Sequence, residues 1–162
     1  PNTVAHMQPR PLRFAPDFRG RIIEDSLAES EKEASMKKAI LTDRVPAPWG
    51  PWSPGFHAGD FIFVGGQGPI DPKTGKLKGS TIQEQTKLTL ECVKAVLETA
   101  GAGMSDVVKV QVLLSDMNDF AGMNQVYRTF FSEPFPARIT YQVGLSVPGM
   151  RVEIEAIAYV GK

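Results

Sequence analysis

Ile82, Thr86, Thr89, Val93, Val96, Leu97 and Ala100 recur at threes and fours, and this stripe constrains the chain more than any other feature. Such spacing gives a helix one buried face. Ser80 predicts its start, with Gln83 three residues on as in a capping box, and Gly101 its stop. The period then falls to two. Over Val107–Leu114, Val108, Val110, Val112 and Leu114 share one strand face, while Lys109 and Gln111 point the other way. A second helix follows Asp116-Met-Asn118, with Phe120, Met123, Tyr127 and Phe130 as its stripe and Pro134 as its limit. Strands follow at Ala137–Val143 and at Val152–Tyr159, where Val152, Ile154, Ala156 and Ala158 face together. Single apolar stripes on helices need an apolar face to cover, and the apolar strand faces can supply one.

The segments before the first helix are short. Ala39–Leu41 predicts a strand, and Val45–Gly55 a rigid loop, because its four prolines and two glycines forbid a helix. Phe56–Ala58 and Phe61–Val64 flank Gly59-Asp60, which reads as a tight hairpin. Gly65-Gly66-Gln67-Gly68-Pro69 is expected to end that hairpin in open backbone, and Asp71–Gly75 to turn with proline second. Residues 1–35 lack a packed face. They read as an N-terminal extension, whether a tag, a cloning scar or a flexible leader, with the domain at 36–162.

Composition excludes several functions. The 162 residues suit one domain, and eighteen Lys+Arg balance eighteen Asp+Glu. Zero net charge gives no electrostatic case for nucleic acid or an anionic membrane. One cysteine, Cys92, allows no intrachain disulfide and no cysteine zinc cluster, and His6 and His57 are the two histidines. No apolar run is long enough to span a membrane or act as a secretory signal, so a reducing cytoplasm is the expected compartment.

Some residues carry two readings. Val64-Gly65-Gly66-Gln67-Gly68 follows a strand but no Gly-Lys-Ser/Thr follows, which argues against a phosphate loop. Its glycines either turn the chain or let a ligand reach main-chain N–H groups. Glu153 and Glu155 share a strand face, as an acid/base pair or as part of a solvated sheet face. Arg138 begins a strand, as a fork for a carboxylate or as a structural ion pair. Trp49 and Trp52 either line a pocket or cover the core, and Cys92 reads as packing.

Taken together, Gly50-Pro51-Trp52-Ser53, Gly65-Gly66-Gln67 with Pro69 and Asp71–Gly75, Asp116–Phe120, Phe135-Pro-Ala-Arg138 and Val152–Ala158 resemble the Rid family, the reactive intermediate deaminases formerly called YjgF. The similarity runs from Met36 to Val160. It implies a chorismate-mutase-like α+β fold, with a mixed six-stranded sheet and two helices packed on one face. It also implies a homotrimer with a central barrel and active sites between subunits. The implied activity is hydrolysis of 2-imino acids, such as 2-iminopropanoate and 2-iminobutanoate, to 2-oxo acids and ammonia. Carried over by motif, Arg138 binds the substrate carboxylate and Glu153 orients water. Trp52, Gly65, Gly66, Asn118 and Thr140 complete the pocket.

The chain departs from the family at two positions. Gly65 stands where many deaminases have serine, and Thr140 where they have cysteine, which bears on the preferred imine. A protonated imine is already electrophilic, so the resemblance implies no metal and no cofactor. The rival readings are a non-enzymatic ligand- or client-binding trimer and a ribonuclease.

Overall fold

The computed structural model describes residues 37–161, and the expected extension at 1–35 lies outside them. The chain order is β1 (Lys37–Ile40), β2 (Gly55–Ala58), β3 (Phe61–Gln67), α1 (Ile82–Thr99), β4 (Val107–Leu114), α2 (Phe120–Phe130), β5 (Ala137–Gln142) and β6 (Val152–Tyr159). The strands form one six-stranded sheet in the order β1-β2-β3-β6-β4-β5. Every pairing is antiparallel except β4 with β5, which makes the sheet mixed, as expected.

Both helices lie on one face of the sheet. Helix α1 buries Leu90, Val93, Val96 and Leu97 against Ile62, Val64, Val110, Val112, Ile154 and Ala156. Helix α2 packs along α1 and contributes Met123 and Tyr127. Cys92 is buried, and burial pushes its thiol up to about 11, so it packs as a small hydrophobe. Gly59 turns the β2–β3 hairpin with φ +57, in the left-handed region that glycine enters without strain.

Three local readings change. The N-cap of α1 is Thr81, not Ser80, because the third residue after Thr81 is the acidic Glu84. The Glu84 carboxylate accepts from Ser80 N at 2.8 Å and Thr81 N at 3.1 Å, and its own N–H donates to Thr81 Oγ1 at 3.2 Å. These hydrogen bonds, Ser80's first, hold the Glu84 carboxyl below its ordinary range. Val108 does not join the buried face. The register of β4 against β6 shifts between Val107 and Lys109, so Val107 turns inward and Val108 stays exposed. Finally, β3 does not end at Val64. It continues to Gln67, and Gly65 and Gly66 together stand opposite Glu155 as a bulge.

The opposite face of the sheet is open and aromatic. Phe61, Phe63, Ile139, Tyr141 and Tyr159 are exposed there, beside the half-buried Leu113 and Ile157. Tyr141 Oη donates to Gln111 Oε1 at 2.7 Å, and Gln111 Nε2 donates to Glu155.

Candidate active site

The bulge in β3 builds the first part of the site. Gln67 is buried, and its Nε2 donates to Gly65 O at 3.1 Å and Pro54 O at 3.3 Å. Gly65 N donates to Pro54 O at 3.0 Å. These bonds tie the proline loop across the bulge, so Trp52 and Ser53 lie over Gly65 and Gly66. Glu153 rises from β6 on the open face, opposite Leu113 of β4. A cavity of about 280 Å³ gathers Trp52, Gly65, Gly66 and Glu153.

Gly66 is fixed by contact. A Cβ there would collide with the Glu153 carboxylate, so only glycine admits that side chain at this depth. Gly65 is less constrained, since its added Cβ would sit 3.2 Å from Ser53 O. Burial, and secondarily the nearby Glu155 charge, raises the Glu153 carboxyl above its ordinary value. A carboxyl so placed can take a proton from water and return it nearer neutrality than a free glutamate.

Arg138 lies elsewhere. It pairs with Val110 across the parallel β4–β5 ladder, so its side chain is on the helix-covered face. Its Cζ sits 4.5 Å from the Tyr127 ring centroid and 5.6 Å from that of Phe120. The rings of α2 thus seat the guanidinium through cation–π contact. A second cavity, about 340 Å³, opens over Arg138, Tyr127, Phe135 and Asn124. Burial pushes the Tyr127 phenol up to about 12, partly opposed by the Arg138 charge.

The expected site residues therefore divide into groups. Trp52, Gly65, Gly66 and Glu153 share one cavity, and Arg138 lines another. Thr140 pairs with Val112 on the helix side, and its buried Oγ1 has no hydrogen-bond partner. Asn118 is exposed in the turn before α2, where its N–H donates to Asp116 Oδ1 at 2.8 Å, and it lines neither cavity. Sequence reasoning missed Ser146, which reaches the Glu153 cavity from the Gly144–Gly149 loop. It assigned Tyr127 to the core alone. Trp49 is a pocket wall rather than a core cover, 66% exposed and edge-on to Trp52 at 5.5 Å.

A half-buried carboxyl and a seated guanidinium on these motifs invite comparison with known proteins. The sequence model of the family described as Endoribonuclease L-PSP matches residues 42–160. The chain belongs to this family, the RutC/YjgF/Rid family. A RutC family protein of Pyrococcus horikoshii is 50% identical over 124 residues, 76% of this chain and 98% of that protein. The mouse 2-iminobutanoate/2-iminopropanoate deaminase is 41% identical over 126 residues, 78% of this chain and 93% of that one. The crystal structure of Escherichia coli TdcF with bound serine superposes with a TM-score of 0.70 at 40% identity, covering 75% of this chain and 98% of that one. The Rid fold explains the mixed sheet and the one-sided helices. Among the described residues no helix is long and apolar enough to cross a membrane, and no cluster of His, Cys, Asp or Glu could hold a metal ion.

Proposed function

We propose that this Rid protein hydrolyses 2-imino acids to 2-oxo acids and ammonia, in sites completed where copies of the chain meet as a homotrimer. One observation carries the reading: Arg138 and Glu153 stand on opposite faces of a single sheet. A carboxylate anchor and a proton-handling carboxyl must both reach one small substrate. One chain keeps them apart, and a second copy seated on the open aromatic face can supply the missing half.

In the complete site the Arg138 fork binds the substrate carboxylate. Glu153 takes a proton from water as the water oxygen bonds to the imine carbon. The carbon–nitrogen double bond becomes single, giving a carbinolamine. Glu153 returns the proton to nitrogen; as the carbon–nitrogen bond breaks and ammonia leaves, the hydroxyl becomes the 2-oxo carbonyl and its proton passes through Glu153 to the ammonia, with one water consumed. The substrate is already electrophilic, so orientation and a preset charge environment supply the rate. Trp52 and the Gly65–Gly66 bulge would wall the side of the site where Glu153 meets the imine carbon.

The test supplies imines from an amino-acid oxidase and follows semicarbazone formation with and without the protein. Accelerated loss of 2-iminopropanoate or 2-iminobutanoate is expected, and no acceleration with any imine refutes the enzyme. That result would favour a binding trimer, while RNA cleavage would favour a ribonuclease. Composite sites are tested by mixing. Arg138→Ala and Glu153→Gln are each expected to be inactive alone. Random co-assembly should restore about a quarter of the sites, since each needs one intact residue from each of two copies. No recovery after confirmed subunit exchange would place the whole site within one chain.

A further inference from the structure

The cavity over Arg138 contains a second cation. Arg128, in the last turn of α2, lines it together with Asn124, Tyr127, Phe135, Pro136 and Arg138. No Asp or Glu is among these residues. The structure describes four arginines: Arg44, Arg128, Arg138 and Arg151. Arg44 pairs with Glu98, and Arg151 with Asp119. Arg128 and Arg138 have no carboxylate oxygen of a described residue within 4.0 Å. The two arginines lacking an acid partner are thus the two that line one cavity.

A helix C-terminus favours a cation, which accounts for a basic residue at position 128. It does not account for two arginines lining one cavity without a counter-charge, where like charges repel. Arg128 Nε reaches only the Asn124 carbonyl, at 3.4 Å, so that weak contact leaves its Nη groups without an acid. Tyr127, Phe135 and Pro136 supply apolar wall to the same cavity. Two planar forks and apolar wall in one cavity suit two carboxylates joined by a short hydrocarbon chain.

We infer that this cavity accepts two carboxylates, and that the substrates favoured by this chain are 2-imino dicarboxylic acids. The inference rests on the reading that Arg138 anchors the substrate carboxylate, and adds Arg128 as the residue that selects for a distal one. The reaction at the imine carbon is unchanged, because the second carboxylate takes no part in it.

Binding of stable 2-oxo acids to the full chain tests this without requiring turnover. Calorimetric titration with 2-oxoglutarate and with 2-oxobutanoate should give a Kd at least tenfold lower for the dicarboxylate. Raising the salt should narrow the gap, because exposed charges are screened. In Arg128→Ala the ratio of the two Kd values should fall at least fivefold, and Arg128→Lys should keep part of it. Equal affinities in the unaltered protein, an unchanged ratio in Arg128→Ala, or binding of neither acid at millimolar concentration would each overturn the inference. A clear dicarboxylate preference alongside no imine turnover would sink the hydrolase reading alone.

Discussion

The two cavities differ in how their charged groups are held. Arg138 is seated by rings, with Tyr127 below it at 4.5 Å and Phe120 at 5.6 Å, on the face where α2 covers the sheet. Glu153 lies on the open face against a glycine bulge, where Gly66 leaves no room for a Cβ. The first arrangement keeps a permanent charge in place through polarizable contacts. The second partly desolvates a titratable group while leaving it beside a cavity. A group that only binds needs fixed direction; a group that moves protons needs a tuned affinity for them. The contrast fits a binding role for one and a proton-transfer role for the other.

The strongest way to break this division is Arg138→Ala. A charge-assisted bond to a carboxylate is worth about 1.5–3 kcal/mol, and a bidentate pair more. Misplacing the carboxylate also misplaces the imine carbon, so kcat/KM should fall roughly a hundredfold or more. Arg138→Lys should recover little of it, because an ammonium lacks the planar fork. Wild-type kcat/KM for every accepted imine in Arg138→Ala would remove the binding role.

Gly66→Ala probes the other cavity with one added methyl. Its Cβ would meet the Glu153 carboxylate, which must then rotate away. Because the obstacle is the end of a flexible side chain, the fold should survive, with an unaltered circular dichroism spectrum. Removing a positioned general base costs about 10²–10⁴-fold, and a displaced one should cost roughly tenfold or more in kcat. Unaltered kcat would mean that the position of Glu153 is irrelevant to the chemistry.

Much of this architecture was legible because it depends on period. The α1 stripe, the β4 span Val107–Leu114 and the β6 face Val152, Ile154, Ala156 and Ala158 follow from burial on one side of a regular element. Val108 was misread because a bulge breaks the alternation, and nothing in a run of valines marks where. Gly65 and Gly66 sit in another bulge, where glycine is demanded by a side chain distant in sequence. Motifs named Arg138 and Glu153 but not their separation, since residues on different strands can share a motif set and still face opposite ways. Tyr127 shows the reverse problem. Its place in the α2 stripe is enough to explain its burial, so its second role under Arg138 leaves no trace in the pattern.

Tyr127→Leu sharpens that second role. It keeps an apolar residue of similar reach in the α2 stripe but removes the ring beneath the guanidinium. Cation–π contacts contribute about 0.5–2 kcal/mol, so kcat/KM should fall about twofold to thirtyfold, chiefly through KM. Tyr127→Phe retains the ring and should lose less than Tyr127→Leu. Equal losses in the two variants would assign the effect to the phenol oxygen or to packing. Melting temperatures of both variants separate the packing contribution.

The smallest expected effect is on pH dependence, and it isolates the tuning of Glu153. Burial is the first cause of its raised affinity for protons, and the Glu155 charge the second. The proposed general-base role requires the ionised form, so activity should fall on the acid side at a pH above the ordinary glutamate value of 4.5. Glu155→Gln removes the like charge and leaves burial in place. The acid limb should therefore move toward lower pH while remaining above the ordinary value. The sign for folding runs the same way. A raised native value favours the neutral form, so its relative stabilisation is present below the unfolded value and is lost as pH rises through the native one. Removing Glu155 should reduce that loss near neutral pH. Gln111 Nε2, which donates to the Glu155 carboxylate, can donate to a glutamine carbonyl instead, so the polar chain from Tyr141 can persist. A pH profile of kcat/KM for Glu155→Gln that superposes on the wild-type profile would show that Glu155 does not tune Glu153, and that burial alone sets its proton affinity.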